Sequence, residues 1–151
     1  MSVADNLAAH DLALPQPAAP AGDYVPALRT GSYVYTSGQI AMRDGSLVAE
    51  GKVGAEVDEC AAADCARQCA LNVLAAASTT VDLDDVVRVL KVVVFVASDP
   101  SFTAQPQVAN AASAVFAAAF GDAGVHTRSA VGVAALPLGT PVEIEAVLEV
   151  R

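Results

Sequence analysis

The chain has 151 residues, the length of one domain, which is enough to bury a hydrophobic core without disulfide or metal staples. Apolar residues make up 54% of it and charged residues 17%, which excludes an intrinsically disordered chain. The formal net charge of −9 repels polyphosphate, so broad binding to nucleic acid or to anionic membranes is disfavoured, although a local basic site remains open.

The first 22 residues are predicted to form an N-terminal arm ahead of a single domain, residues 23–151. They combine a short possible helical turn with LPQPAAPAG, which suits a semi-extended segment on the surface. The start of the chain has no basic region followed by an apolar one, and no apolar run approaches the ~18 residues of a membrane span. We therefore expect a soluble, cytoplasmic protein that binds no membrane.

A strand is predicted over residues 31–40, where GSYVYTSGQI is rich in β-branched and aromatic residues. Asp44-Gly45 is the commonest kind of two-residue hairpin turn, so residues 47–49 are expected to pair with the segment before it. The domain should therefore open with a hairpin.

Two long helices are predicted, over residues 58–78 and 103–120. Asp58 is a candidate N-cap for the first, and Pro106 is compatible with the second because it lies in the first turn. Apolar residues recur near helical spacing and should face a sheet: Ala62, Cys65, Cys69, Val73 and Ala76 in the first helix, and Val108, Ala112, Val115, Phe116, Ala119 and Phe120 in the second.

All three cysteines, Cys60, Cys65 and Cys69, lie in the first of these helices. Cys65 and Cys69 are one helical turn apart, a geometry that does not usually allow an unstrained disulfide, and no histidine stands at metal-ligand spacing. We expect a structural role for them rather than metal binding or redox chemistry.

The run VVRVLKVVVFVA, residues 86–97, predicts a strand because it is β-branched almost throughout. Its few polar interruptions indicate a central strand that is buried on both faces over much of its length. The element order is then two strands, helix, strand, helix and two strands. Helices gathered on one face of a mixed sheet would give an α+β domain whose other face is open to subunit packing.

The last two predicted strands are residues 128–135 and 142–150, separated by LPLGTP, which breaks the alternation. Side chains alternate across a strand, so Val142, Ile144, Ala146, Leu148 and Val150 should face the core and Glu143, Glu145 and Glu149 the other side. In the preceding strand Ser129, Val131, Val133 and Ala135 form one row. The opposite row, Arg128, Ala130 and Gly132, sets small residues beside a positive charge, which leaves room for a ligand.

Arg128 and Glu143 could not meet if these two strands formed a simple hairpin. Pairing about the connecting loop would place Glu143 opposite Ala134 and leave Arg128 about six residues along the ladder, roughly 20 Å away at ~3.3 Å per residue. The two groups could then share a site only by another route, most economically across the interface of a symmetric oligomer. The alternative is that the glutamates form a solvated strand face and that Arg128 anchors a strand end.

His126 lies in the loop two residues before Arg128. A histidine that acts as a general base needs a hydrogen-bonding partner, and the sequence identifies none. We therefore expect a loop histidine or a residue that makes a polar contact.

Four segments occur together in the order and spacing of a known family: YVPALRTGSYVYTSGQI, ARQCALNVL, KVVVFVASDPSF and RSAVGVAALPLGTPVEIEAV. From about Tyr24 to its end, the chain resembles the YjgF/RidA family of reactive-intermediate imine deaminases, formerly called the endoribonuclease L-PSP family. It is most similar to a divergent branch with an extended N-terminal arm. The resemblance implies a chorismate-mutase-like α+β subunit with two helices on one face of a mixed sheet. It also implies a barrel-like homotrimer with ligand clefts between subunits.

In active members of this family, 2-imino acids released by enzymes that use pyridoxal phosphate are hydrolysed to 2-oxo acids and ammonia without a cofactor. The resemblance assigns Arg128 to the residue that clamps the substrate carboxylate, and Glu143 to the residue that orients or deprotonates the attacking water. It also implies substrate-binding positions at Tyr24, Ser37, Gly38, Asn110 and Ala130. The alternatives are that Asn110 makes a routine polar contact and that Tyr24 serves packing.

Two positions depart from the family pattern. Ala130 replaces a frequent cysteine, and Gly132 replaces an acidic residue. Loss of the thiol need not remove hydrolysis, because the backbone at Ala130 can still contact a ligand. Both changes lie on the strand face of Arg128, so we expect a wider cleft and an altered substrate range.

The predicted function is therefore hydrolytic deamination of reactive 2-imino acids by a homotrimer that takes small carboxylate substrates. One alternative is a non-catalytic trimer that senses or sequesters small carboxylates through the same Arg128. Another is the endoribonuclease or translation-inhibitor activity attributed to some relatives. The acidic composition and the lack of a basic, aromatic-lined groove weigh against that activity.

Overall fold

The computed structural model describes all 151 residues, Met1–Arg151. In chain order the elements are α1 (Val3–Ala8), β1 (Ala27–Thr30), β2 (Tyr33–Thr36), β3 (Gln39–Ile40), β4 (Met42–Arg43), β5 (Ser46–Leu47), α2 (Glu59–Ala77), β6 (Val86–Ala97), α3 (Gln105–Phe120), β7 (Thr127–Val133) and β8 (Val142–Val150). Short 3-10 turns lie at Leu83–Asp85, Gly121–Gly124 and Pro137–Gly139. None of the helices combines the length and the apolar character needed to cross a bilayer.

The main sheet is mixed and has the strand order β1-β2-β8-β6-β7, with β3 also pairing with β8. β6 and β7 run parallel, joined by α3 as the crossover, and all other pairs are antiparallel. The predicted turn at Asp44-Gly45 is confirmed, and both of its residues have positive φ. It joins β4 to β5 as a separate pair, so the predicted pairing of residues 47–49 with the strand at 31–40 is wrong: that segment pairs with β1 and β8.

Both long helices pack on one face of the sheet, which confirms the predicted α+β fold class. Every helical position predicted to face the sheet is buried except Phe120, which is half-buried. α2 begins after Asp58, whose carboxylate accepts a hydrogen bond from the Ala61 N–H at 2.8 Å, as an N-cap does. The opposite face of the sheet is covered by no element of the chain.

The three cysteines of α2 are free thiols, of which Cys65 and Cys69 are buried in the core and Cys60 is exposed. Burial raises the pKa of Cys65 to about 11 and holds that of Cys69 well above its ordinary value. Both buried thiols therefore stay protonated at neutral pH and contribute to packing. No group of three or more His, Cys, Asp or Glu side chains is placed to hold a metal ion.

β6 is buried on one face only, which corrects the prediction of a strand buried on both. Its helix-facing residues are fully buried: Val89, Val92, Val94 and Val96. Val93 and Phe95 point to the open face and are half-buried. The prediction failed because a run of β-branched residues shows that both faces are apolar, and does not show what covers them.

β7 and β8 do not form a hairpin, because β6 lies between them. It runs parallel to β7 and antiparallel to β8. Alternation identifies a strand without identifying its neighbour, so the hairpin assumption had no support in the pattern itself. The succession of a strand, a helix and a strand from β6 to β7 was the signal for a parallel pair.

The N-terminal arm is anchored at its start. Ser2 caps α1 through a reciprocal capping box with Asp5, and Val3 and Leu7 are buried in the main core cluster beside α3. The Asn6 side chain donates to a backbone carbonyl near the end of α3 at 2.9 Å. Helix α1 therefore belongs to the core, and the exposed part of the arm is the proline-rich segment after it.

Candidate functional site

The predicted site residues fall into two groups on opposite faces of the sheet. Across β6 the register pairs Arg128 with Val92 and Glu143 with Phe95. Paired residues point to the same face, and residues three apart on a strand point to opposite faces. Arg128 therefore lies on the helix-covered face and Glu143 on the open face. We name Arg128 and Asn110, together with Ser113 and His126, which the sequence did not assign to the site, the arginine half; Tyr24, Ser37, Gly38 and Glu143 form the glutamate half. Ala130 lies two residues after Arg128 on the same face of β7.

The two halves are too far apart to share a small ligand within one protomer. Two strand spacings of ~4.8 Å and three residues of ~3.3 Å separate the Cα atoms of Arg128 and Glu143, which gives roughly 14 Å. The body of β6 also stands between the side chains. The assumed hairpin, and the longer separation inferred from it, are wrong, but the conclusion that Arg128 and Glu143 do not meet within one chain holds for the observed strand order.

Arg128 lies along one stripe of α3 formed by Pro106, Asn110 and Ser113, which are spaced i, i+4 and i+7. Nη1 donates to Asn110 Oδ1 at 2.9 Å and to Ser113 Oγ at 3.0 Å. Nη2 donates to the Pro106 carbonyl at 3.4 Å. All three acceptors are neutral, so they orient the guanidinium without cancelling its charge.

One edge of the Arg128 guanidinium remains free within the chain. None of the three ion pairs includes Arg128. Nη1 makes two contacts within the chain, Nη2 makes one long contact, and Nε donates to no group of the chain. Nε and Nη2 form one edge of the guanidinium, which a carboxylate can contact in the bidentate geometry typical of arginine.

His126 makes the polar contact that was expected of it. Its Nδ1 lies 2.6 Å from the Gly124 carbonyl oxygen and its Nε2 lies 3.0 Å from Ser113 Oγ. A carbonyl oxygen can only accept, so Nδ1 carries a proton, and Nε2 of the neutral ring accepts from the Ser113 hydroxyl. Burial lowers the pKa of His126, and the positive charge of Arg128 lowers it further, which favours that neutral ring.

Gly38 is in direct contact with the carboxylate of the glutamate half. β3 pairs Ile40 with Glu143, which brings the preceding Ser37-Gly38 segment against the Glu143 side chain. A Cβ built at Gly38 would overlap the carboxylate and would stand 2.9 Å from Glu143 Cδ. Only glycine leaves room for Glu143 in this conformation.

The environment of Glu143 makes its carboxylate a stronger base than an exposed glutamate. Burial raises the pKa of Glu143, and the negative charge of Glu145 on the same strand face raises it further. No hydrogen bond from the chain offsets these effects. A raised carboxyl pKa lies closer to neutral pH, where a general base works best.

Ser37 precedes Gly38 in the chain and shares a groove with Tyr24. Ser37 Oγ donates to the Val25 carbonyl at 2.7 Å, and the Ser37 N–H donates to the Pro26 carbonyl at 2.9 Å. The hydroxyl proton is thus committed, and the oxygen can only accept from a ligand. Tyr24 is 50% exposed and lines a groove that also reaches Tyr35 and Ser37.

Two buried polar residues that the sequence did not single out hold the backbone around Glu143. Asn72 of α2 donates at 3.0 Å to the carbonyls on either side of Ala41, and the Thr140 hydroxyl accepts from the Ala41 N–H at 3.2 Å. Both residues are buried. An amide in the apolar stripe of a predicted helix was the available signal for Asn72, since buried polar groups need partners.

The two positions that depart from the family pattern are not open space. Ala130 packs against the core. The Gln105 amide lies over Gly132, with Nε2 2.8 Å from where a Cβ would stand, and it donates to Phe102 O at 2.8 Å and Ser98 Oγ at 3.3 Å. Within the protomer, the Gln105 amide thus occupies part of the space that the absent side chain of Gly132 leaves.

Proteins of known sequence resemble this chain over nearly its whole length. Residues 15–150 match the family model described as endoribonuclease L-PSP. Protein TCP17 of Trypanosoma cruzi is 43% identical over 151 residues, which is 99% of this chain and 94% of that protein. The family match includes every residue of both halves of the candidate site.

Solved structures resemble it as well. The protein Atu1372 from Agrobacterium tumefaciens, of unknown function, is 39% identical with a TM-score of 0.90, over 99% of this chain and 92% of that one. RidA from the Antarctic bacterium Psychrobacter sp. PAMC 21119 is 30% identical with a TM-score of 0.60, over 89% of this chain and 94% of that one.

Proposed function

Because the chain belongs to the endoribonuclease L-PSP family, also called the YjgF/RidA family, we propose that it hydrolyses reactive 2-imino acids to 2-oxo acids and ammonia. The word endoribonuclease describes the family and assigns no reaction to this chain. The proposal is based on the chemistry that the two halves of the candidate site offer.

The free edge of Arg128 carries the proposal. The chain has 17 acidic and eight basic residues, yet this guanidinium is held by neutral acceptors alone. An unneutralised, oriented guanidinium supports binding of a small carboxylate. A 2-imino acid presents such a carboxylate next to its imine carbon, so Arg128 would also fix the position of the reacting atom.

Glu143 supplies the base for the hydrolysis. It takes a proton from water as the water oxygen bonds to the iminium carbon, which forms a carbinolamine. Glu143 returns the proton to nitrogen, and the C–N bond then breaks as Glu143 takes the hydroxyl proton and the carbonyl forms. The departing ammonia takes up that proton and leaves as ammonium. The iminium carbon is already electrophilic, so one positioned base and a bound carboxylate are sufficient for this reaction.

The remaining residues have roles that follow from their contacts. Ser37 Oγ accepts from the imine N–H, because its own proton is committed. Gly38 and Ala130 offer backbone N–H groups, and Ala130 lies on the edge strand β7. Tyr24 closes the groove, whereas Asn110 acts through Arg128 rather than on the substrate.

The site is completed by a neighbouring subunit in a homotrimer. Arg128 and Glu143 point to opposite faces of one sheet, so a shared ligand requires the arginine half of one protomer and the glutamate half of the next. Large apolar side chains on the open face support this assembly: Leu28, Tyr33, Tyr35 and Val131 are each more than 40% exposed.

Substitution of Arg128 tests the proposed function. Arg128→Ala should abolish the accelerated release of ammonia from 2-iminopropionate generated in situ, because the carboxylate loses its clamp. Lys52→Ala removes an equal charge from an exposed loop position before α2 and is the matched control. Circular dichroism establishes that both variants fold, and unchanged catalysis by Arg128→Ala refutes the assignment. A wild type that binds pyruvate but accelerates no hydrolysis would favour the carboxylate-binding alternative.

A further inference from the structure

We propose that Ser113 and His126 are positioning residues that fix which edge of the Arg128 guanidinium meets the substrate carboxylate. The inference rests on the function proposed above. Both residues act through Arg128, and neither was singled out for this role by its sequence context.

The three side chains form one directed chain of hydrogen bonds. Arg128 Nη1 donates to Ser113 Oγ at 3.0 Å, the Ser113 hydroxyl lies 3.0 Å from His126 Nε2, and His126 Nδ1 lies 2.6 Å from the Gly124 carbonyl. The guanidinium can only donate and the carbonyl can only accept. Both ends therefore impose the same donor-to-acceptor direction on the hydrogen bonds. With a neutral imidazole, the Ser113 hydroxyl donates to Nε2 and Nδ1–H donates to the Gly124 carbonyl.

The far end of this chain is fixed to the core. The His126 ring lies edge-on to Phe116, with ring centroids 5.5 Å apart and an interplanar angle of 71°. Phe116 is fully buried. The backbone at Gly124 is packed so closely against α3 that an added Cβ would overlap the Phe116 carbonyl. The imidazole is thus held between a buried aromatic ring and a tightly packed turn.

Ser113 decides the orientation because Nη1 has two hydrogens. Asn110 Oδ1 occupies one of them, and without Ser113 only this exposed amide and the long contact from Nη2 to the Pro106 carbonyl, 3.4 Å, would hold the guanidinium. The half-buried Ser113 hydroxyl occupies the second. With both used, the Nη1 side cannot serve the ligand, and the carboxylate is directed to the edge formed by Nε and Nη2.

Two pairs of variants separate this role from a general effect on folding. Ser113→Ala removes the link, whereas Ser113→Thr retains a hydroxyl. His126→Asn retains the donor to Gly124 but loses the acceptor for Ser113, whereas His126→Gln can still offer that acceptor. Thermal melts of all four variants measure the purely structural contribution.

The expected signature is a selective rise in KM for 2-iminopropionate. A misoriented clamp weakens ground state and transition state alike, so Ser113→Ala and His126→Asn should raise KM about tenfold with little change in kcat. Ser113→Thr and His126→Gln should recover most of that loss. A loss that tracks the melting temperature in all four variants, or that falls on kcat alone, overturns the proposal.

Two readouts do not depend on turnover. Imidazole 15N NMR of the wild-type protein should show the Nδ1–H form of His126 at neutral pH, and titration calorimetry should show about tenfold weaker pyruvate binding to Ser113→Ala. If the wild type hydrolyses no imine while these results hold, the proposed function fails and the positioning role stands. An Nε2–H form, or wild-type pyruvate affinity in Ser113→Ala, overturns the positioning role. A wild type that neither turns over imines nor binds pyruvate overturns both.

Discussion

Glu143 shows at the scale of one residue how stability and function oppose each other. Its pKa is raised because burial and Glu145 disfavour the charged form. The folded state therefore favours the protonated carboxyl. The contribution of Glu143 to the free energy of unfolding consequently falls as pH rises through the raised pKa. The ionised base that the proposed reaction needs is thus the form that the fold tolerates less well.

The pH profile of the catalytic rate should contain the titration of the Glu143 carboxyl. A general base works only when ionised, so kcat/KM for 2-iminopropionate should be full above the raised pKa of Glu143 and fall as pH drops through it. Glu143→Gln should lower kcat by at least about 100-fold and remove this limb from the profile. A profile of the enzymatic rate, corrected for spontaneous hydrolysis, measures both effects. An unchanged acid limb in Glu143→Gln would assign the titration to another group.

Gly38 is a second residue whose role depends on a specific contact. Gly38→Ala should displace the Glu143 carboxylate, since its Cβ would occupy the same space, and the resulting misplacement should lower kcat about tenfold or more. A double-mutant cycle checks the contact: the free energy of unfolding is measured for the wild type, Gly38→Ala, Glu143→Ala and the double variant. Alanine at position 38 should destabilise the protein only while Glu143 is present. Equal destabilisation in both backgrounds would mean that the clash lies elsewhere.

At the scale of elements, local patterns located the two long helices and the long strands well, but the single strand predicted over residues 31–40 is divided into β2 and β3, and β1 was not predicted. The predicted strands at residues 86–97 and 142–150 have the observed bounds, and Asp58 caps α2 as expected. These features are set by neighbours in the sequence, namely by alternation and by a side chain that accepts from a nearby N–H. Asp44-Gly45 belongs to the same class, because its turn requires positive φ at two consecutive residues.

Features that depend on distant partners were not predictable in this way. No local pattern shows that β6 separates β7 from β8, so the opposite orientation of Arg128 and Glu143 had to come from the register. The link between Ser113 and His126 likewise joins a helix to a loop. The stripe of Pro106, Asn110 and Ser113 was visible in the sequence, but nothing there indicated that Arg128 lies along it.

A matched pair of valine substitutions tests which face of β6 is buried. Val94 is fully buried under the helices, and Val87 on the same strand is 45% exposed. Val94→Ala should lower the unfolding free energy by about 2 kcal/mol, from two lost methyl groups and the cavity they leave. Val87→Ala should have a much smaller effect. Denaturant unfolding measures both variants, and equal losses would contradict the assignment of faces.

At the scale of the whole molecule, the proposed catalyst is an assembly. One chain of 15.2 kDa holds both halves of the candidate site but keeps them on opposite sides of its sheet. A trimer would bring three arginine halves against three glutamate halves and cover the open face. Its mass of about 46 kDa, three times 15.2 kDa, is readily distinguished from the monomer by light scattering.

Complementation between inactive subunits tests the central claim most directly. Arg128→Ala and Glu143→Gln chains are mixed in equal amounts under conditions that exchange subunits, and imine hydrolysis is measured. If each site joins an arginine half to a neighbour's glutamate half, about one half times one half of the sites are intact, so about a quarter of wild-type activity should return. As a control, wild type mixed equally with the double variant should also retain about a quarter if the site is shared, but about half if each chain holds its own. Activity in the first mixture no greater than that of its parent variants, with exchange verified, would contradict the shared site.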